Sequence, residues 1–218
     1  MIEVPTIHIV PADANQPEIA MCSLTPDELC GLSWDETAFR YLRAETQTLF
    51  ADPRALYERW EAKGAQAWGV RVGNDDSLAG HVLLRDGNGA KPGYPEIGRL
   101  LRSSGLIGRG IGSLCASATL HYALATGLYG ITSETLLANV PARKSLQGIG
   151  AIEVRRGTQP IPYGTEGQSS VYTRWMVGNP DAADMHKLIF PDLTDGDLED
   201  SARRLGQAMQ RIKRIDIS

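Results

Sequence analysis

Cysteine is scarce in this chain. Only Cys22, Cys30 and Cys115 occur in 218 residues. Their number is odd and their spacing matches no zinc-ligand pattern. Neither a disulfide framework nor a metal centre is expected, and a reducing compartment is favoured. No apolar run approaches the roughly 20 residues that a membrane-spanning helix needs. Met1 to Ala12 lack a basic stretch followed by an apolar core, so no secretory leader is read and the expected location is cytoplasmic. Positive charge is not in excess: 22 Lys and Arg stand against 26 Asp and Glu, a formal charge of -4. That balance argues against general nucleic-acid binding and leaves room only for a local basic patch. Internal repeats and low-complexity tracts are also missing, which excludes solenoids and disordered arrays.

What remains is ordinary. Apolar residues make up 42% of the chain and charged residues 22%, the composition of a globular protein. The length suits one domain, or one domain with an appendage. Such a chain buries roughly 70% of its unfolded surface and needs no covalent or metal staple. Thr6 to Val10 reads as a first strand ended by Pro11. Thr25-Pro26-Asp27-Glu28 combines an N-cap, a proline in the first turn and a capping-box glutamate. Ser33-Trp34-Asp35-Glu36 repeats the signal, and a loose helical stripe runs on to about Phe50. Asp52-Pro53 opens a further helix to about Ala62. Gln66 to Val72 alternates, Asn74-Asp75-Asp76 marks a turn, and Leu78 to Leu84 completes an antiparallel hairpin. Glu96 to Arg102 reads as a third strand of this sheet. After a glycine cluster come a helix carrying Leu114 to Ala125, a strand from Ile131 to Leu137, and a short helix from Val140 to Gln147. Ala151 to Arg155 and Ser170 to Val177 are strands, with a loop from Thr158 to Gly167 between them. An amphipathic helix is expected from about Asp197 to Ile212. The order predicts an α/β (α+β) fold with a mixed sheet flanked by helices. Residues 1–178 form the main domain and 179–218 a C-terminal extension, for which oligomer packing in a homodimer and simple capping both stay open.

The glycine cluster carries the chemistry. Gly105-Leu106-Ile107-Gly108-Arg109-Gly110-Ile111-Gly112-Ser113 lies between a strand and a helix. Glycines let the backbone turn sharply and approach a ligand closely. The helix start adds free N–H groups and a positive dipole end, a site for phosphate or pyrophosphate. Two familiar nucleotide loops do not fit. Ser113 stands where a dinucleotide fingerprint requires its third glycine, and Ile111 stands where a Walker loop requires lysine.

Ile107-Gly108-Arg109-Gly110-Ile111-Gly112 resembles the Q/R-x-x-G-x-G/A pyrophosphate loop of the GNAT superfamily of acyl-CoA-dependent N-acetyltransferases. Its two glycines match, and Ile107 replaces the leading Gln/Arg. About 27 residues later, Asn139-Val140-Pro141-Ala142 followed by Leu146 and Gly150-Ala151 resembles the family's second motif, N-x-x-S/A with a later G-F. The resemblance covers about Ala67 to Val177 and is nearest in style to the ribosomal-protein acetyltransferase branch. It implies a mostly antiparallel central sheet, acetyl-CoA as co-substrate and a primary amine as acceptor. In this family the strand before the loop splays from its neighbour and admits the pantetheine arm. By resemblance Leu100, Leu101 and Arg102 form that strand end. Ile107, Gly108, Arg109, Gly110, Ile111, Gly112 and Ser113 would hold the diphosphate. An N–H at Leu101 or Arg102 would polarise the thioester carbonyl. Asn139 would bond the pantetheine or the sulfur region, with Arg143 and Lys144 as nearby cations.

The attacking amine must lose a proton, and a carboxylate at the cleft can take it. Glu96 starts the splayed strand and is the first candidate base; Glu134, on the following strand, is the second. Leu146 stands where the family often places a tyrosine to protonate the leaving thiolate. Ser145 or water substitutes for it, or sulfur leaves as thiolate, its usual pKa being about 8.5. A module that binds acyl-CoA without turnover is the alternative. His81, His121 and Cys115 fit no metal or nucleophile pattern and read as packed or surface residues. The segment from Leu24 to Ala62, with Trp34, Trp60 and the acidic Asp35, Glu36 and Glu45, is expected to wall the acceptor site together with the Tyr94 and Tyr163 loops. Trp68 reads as core.

Overall fold

The computed structural model describes residues 3–32, 50–86, 91–101, 104–160 and 169–218. The elements are β1 (Ile7–Pro11), β2 (Ile19–Ser23), α1 (Pro26–Gly31), α2 (Pro53–Ala62), β3 (Gln66–Val72), β4 (Asp75–Arg85), β5 (Glu96–Leu101), α3 (Ile111–Ala125), β6 (Gly130–Leu136), α4 (Val140–Gly148), β7 (Ile152–Pro160), β8 (Ser169–Gly178), α5 (Ala183–Ile189), α6 (Asp195–Met209) and β9 (Ile212–Ile217). The strands form one sheet of nine in the order β7-β8-β6-β5-β4-β3-β2-β1-β9. Every described neighbour pair is antiparallel except β5 with β6, which the α3 crossover makes parallel.

Two apolar layers cover the sheet. On one face Ile97, Ile131, Trp175 and Val177 pack under α3, α4 and α6, through Leu114, Leu146, Leu205 and Ala208. Alanine and leucine make α3 apolar around its circumference, as a helix buried on several sides must be. On the other face Leu29, Leu56, Tyr57 and Trp60 of α1 and α2 pack on Ala67 and Leu83. The signals at Thr25 and Asp52 hold. Thr25 and Glu28 form the reciprocal capping box, and Asp52 caps α2 by accepting from the Ala55 amide.

The structure departs from the sequence reading in several places. β2 was not expected: Ile-Ala-Met-Cys-Ser is short and weak in β-formers, and it is held by pairing with β1 on one side and β3 on the other. β7 continues past Arg155 into the stretch read as a loop and ends at Pro160, which an edge strand tolerates. The final helix stops at Met209, short of Ile212, and a ninth strand follows that charge-rich Ile-Lys-Arg-Ile-Asp-Ile did not announce. That strand pairs with β1 from Ile7↔Ile217 to Pro11↔Ile212. The region after residue 178 therefore contributes to the shared core and completes the sheet edge. Gly150, matched in the second motif, is where α6 comes closest: a Cβ there would meet the Ser201 carbonyl, which sits beside the 2.5 Å bond from Ser201 Oγ to the Gly150 carbonyl. The helical stripe expected from Ser33 to Phe50 lies, Phe50 apart, outside the described residues.

A chain truncated after residue 178 loses the Leu205 and Ala208 contacts and exposes the β1 edge. It is expected to lose cooperative thermal unfolding. A truncated chain that melts like the full one would show 179–218 to be an independent appendage.

Candidate active site

The site begins where β5 and β6 part. Their recorded register is a single pair, Glu96↔Thr132. The Thr132 N–H donates to the Pro95 carbonyl at 2.8 Å, and Ser133 Oγ donates to the Ile97 carbonyl at 3.3 Å. Beyond this point β5 continues against β4 and β6 against β8. Alternate residues of a strand address alternate neighbours. With Pro95 and Ile97 turned to β6, so are the amides of Arg99 and Leu101. Among the described residues these two have no strand partner on that side. The wedge is thus open toward the carboxyl end of β5, lined by unpaired main-chain donors. Arg102 lies outside the described residues.

The glycine loop stands at the mouth of this wedge. A 3₁₀ turn, Ser104–Leu106, leads into it. Gly108 and Gly110 take φ values of 83° and 80°, a left-handed conformation that L side chains rarely adopt. Gly110 is the N-cap of α3, and no side chain caps that helix. The amide of Ser113 turns back onto the Gly110 carbonyl at 3.0 Å. The first turn of a 15-residue helix is therefore presented bare, with its positive dipole end outward. Ile107 is exposed at 42% and no atom lies within 4 Å of a Cβ built on Gly108, so the bend is open there, while Gln16 Nε2 lies 3.4 Å from a Cβ built on Gly110. Arg109 is exposed beside it. On α4, Asn139 caps the helix by accepting from the Ala142 amide at 3.2 Å, which leaves its NH₂ group for a ligand. Lys144 is exposed on the same helix, and Arg143 is turned inward to the Leu137 carbonyl at 3.1 Å.

Both candidate carboxylates lie on the sheet face opposite α3, since Ile97 and Ile131 belong to the α3 face and side chains alternate. Glu96 is at the closed end of the wedge. Its Oε1 accepts from Arg85 Nη2 at 3.0 Å, and its Oε2 has no protein donor among the described residues. Glu134 accepts from Arg174 Nη2 at 2.9 Å, with both side chains about nine-tenths buried. Leu100 shares this face and pairs across β4 with His81. His81 stacks against Trp60 at 5.3 Å and Phe50 at 5.9 Å.

On the α3 face, Arg99 Nη1 donates to the Gly112 carbonyl at 2.5 Å and to Ser145 Oγ at 3.1 Å. Ser145 Oγ lies 3.0 Å from Ser113 Oγ. This bridge between α3 and α4 joins three residues far apart in sequence, and no motif announces it. Burial lowers the Arg99 pKa to about 10 and pushes the neighbouring Cys115 thiol up to about 12. Cys115 is an inert core thiol, as read. Trp68 is core and His121 is exposed.

Tyr94 itself is a core residue. It is fully buried, bonded to His186 Nδ1 at 2.5 Å and packed edge-on against Phe190. It anchors α5, while Lys91, Pro92, Gly93 and Pro95 of the same loop line a cavity together with Gln66, Arg85 and Leu128. Trp34, Asp35, Glu36, Glu45 and Tyr163 lie outside the described residues. Among the described residues no group of His, Cys, Asp or Glu is arranged to hold a metal, and no helix is long and apolar enough to cross a membrane.

The profile of the acetyltransferase (GNAT) domain matches residues 14–152, and the chain belongs to the GNAT acetyltransferase family. No curated protein matches the sequence. Among solved structures, Mycobacterium smegmatis RimJ in complex with CoA-disulfide superposes with a TM-score of 0.63 at 13% identity, over 95% of this chain and 98% of that one. Spermidine N-acetyltransferase from Vibrio cholerae, in complex with CoA and spermine, gives 0.59 at 16% identity, over 73% and 95%. AAC(6')-Ib in complex with ribostamycin and coenzyme A gives 0.56 at 16%, over 72% and 94%. At these identities the likeness is one of fold.

His81 offers a test of the apolar floor under Leu100. Burial, and then the nearby Arg85 charge, lower its pKa from 6.5 to about 3. The unfolded chain therefore binds a proton that the folded one refuses between those values. Stability is complete above pH 6.5 and falls as the pH drops toward 3, by at most about 1.4 kcal/mol per unit. Urea unfolding from pH 7 to 4 should show this slope, and His81→Gln should flatten it. An equal slope in both proteins would refute the neutral, buried histidine.

Proposed function

We propose that the protein moves the acetyl group of acetyl-CoA to a primary amine by direct attack on the thioester. The observation that carries this reading is the open wedge of unpaired β5 amides beside a bare helix start. A pantetheine arm is itself a chain of amides and pairs with such donors. The diphosphate suits the α3 N-terminus, where Ile107 to Ser113 offer main-chain N–H groups and Arg109 and Lys144 offer exposed charge. Leu101 N–H, or that of Arg102, stabilises the oxyanion of the tetrahedral intermediate. The free NH₂ of Asn139 bonds the pantetheine. Glu96 takes the proton of the amine, directly or through water. Its unpartnered Oε2 favours it over Glu134 for this role.

The acceptor then approaches from the α1–α2 face, over Leu100 and His81. Fold relatives carry spermine or ribostamycin, both polyamines. An amine suits the free carboxylate oxygen of Glu96, and a polyamine and a protein N-terminus fit the same chemistry. One observation favours the second reading, acyl-CoA binding without turnover. Leu146 is 2% exposed, in the place where a tyrosine would serve the leaving sulfur. Thiol release on mixing acetyl-CoA with polyamines, aminoglycosides, peptides with free N-termini and aminoacyl-tRNA separates the two readings.

Gly110→Val is expected to weaken CoA binding at least tenfold while leaving a cooperative melt, because valine at φ 80° is strained by roughly 1–3 kcal/mol and reshapes the bare helix start. Unchanged calorimetric affinity would remove the loop from the site. Glu96→Gln should lower kcat by about 10²–10⁴ with CoA affinity preserved. Full turnover would exclude Glu96 as the base.

A further inference from the structure

The glycine loop has a polar neighbour from a distant part of the chain. A tight turn, residues 12–18, joins β1 to β2. Ile19 pairs with Val72 at the end of β3, and Leu101 at the end of β5 pairs with Gly80 near the start of β4. The turn and the end of β5 therefore share one end of the sheet. Asp13 shapes the turn. Its carbonyl accepts from the Gln16 amide at 3.0 Å, and its Oδ1 accepts from the Asn15 amide at 2.9 Å and from Asn15 Nδ2 at 3.0 Å. An aspartate that bonds the backbone two residues on fixes such a turn locally. The far side is held too. Pro17, with its fixed φ, lies 3.7 Å from a Cβ built on Gly73, and the Gly73 amide donates to the Glu18 carbonyl at 2.7 Å.

Gln16 sits between these two anchors. Ala12 to Asn15 are exposed, whereas Gln16 is half-buried with its side chain against the glycine loop. Among the described residues its Nε2 alone comes within 4 Å of a Cβ built on Gly110, at 3.4 Å. Gly110 is the N-cap of α3, yet no side chain caps that helix, and the Gln16 carboxamide has no hydrogen bond among the described residues. A capping side chain turns an oxygen toward the free N–H groups of a helix start. Gln16 instead brings one more N–H donor to a place where donors already converge. Donors gathered at a positive dipole end, with no acceptor among them, suit an anion that arrives from outside.

The loop itself is short of such a donor. Ile107 stands where the matched motif carries Gln or Arg. Its side chain is apolar and has no proton to share. Gln16 carries a carboxamide to the same loop from another element. We propose that Gln16 donates a hydrogen bond to the diphosphate of CoA and so replaces, from the β1–β2 turn, the donor that the loop lacks at Ile107. The inference rests on the acyl-CoA reading above. It makes the N-terminal hairpin a third wall of the carrier site, beside the start of α3 and the cap of α4.

A charge series at this one position reads the contact. The ligands are CoA and dephospho-CoA, which keeps the diphosphate and lacks the 3′-phosphate, and the measurement is calorimetric affinity. Gln16→Ala should weaken both ligands about tenfold, the loss of one hydrogen bond to a charged group. Gln16→Glu, of the same size but anionic, should weaken both about a hundredfold. Gln16→Lys should bind both at least as tightly as the unaltered protein, with any gain removed by added salt. All three variants should keep a cooperative melt. Equal losses in the Glu and Lys variants would assign Gln16 to packing and overturn the proposal. Unchanged affinity in Gln16→Ala would overturn it too, and so would a loss confined to CoA, which would assign the side chain to the 3′-phosphate. An unaltered protein that binds neither ligand would instead remove the acyl-CoA reading itself.

Discussion

The parting of β5 and β6 after one residue pair is the constraint on which the site depends. A parallel strand normally satisfies its amides on both sides. Here β5 keeps β4 as a partner, while β6 turns to β8, so the Arg99 and Leu101 amides are left facing a gap. Unsatisfied main-chain donors are costly when buried. The gap is tolerable because it opens beside the glycine loop, where solvent or a ligand reaches those amides. The strand that carries these donors is tied through Arg99 to the first turn of α3 at Gly112 and to α4 at Ser145.

The two faces of the sheet divide the labour. The α3 face holds the bare helix start, Asn139 and the Arg99–Ser145–Ser113 bridge, the groups that the proposed function assigns to the carrier. The opposite face holds Glu96, Glu134 and Leu100 above the buried His81–Trp60 pair, the side that the proposed function assigns to the acceptor. Strand alternation enforces this, since Glu96 and Arg99 differ in parity along β5.

Much of this was legible in the sequence where a local rule applied. The capping box at Thr25, the Asp52-Pro53 start, the β3–β4 hairpin and the strand from Glu96 each follow from short-range chemistry. The glycine loop was legible because left-handed backbone at Gly108 and Gly110 excludes other residues. Long-range pairing was not. β2 and β9 are strands because of their neighbours, and Ile-Lys-Arg-Ile-Asp-Ile has no pattern that separates an edge strand from a helix end. Tyr94 marks its loop in the sequence; only its contacts with His186 and Phe190 reveal that the ring itself is an anchor. The Arg99 bridge spans β5, α3 and α4, and residues 46 apart that meet in space leave no trace in spacing.

Amide hydrogen exchange with and without saturating desulfo-CoA tests the central claim most directly. The account predicts slowed exchange at Arg99 and Leu101 and across residues 107–113, with the β8 amides unchanged. Ligand binding that leaves those strand and loop amides exchanging as before would contradict it.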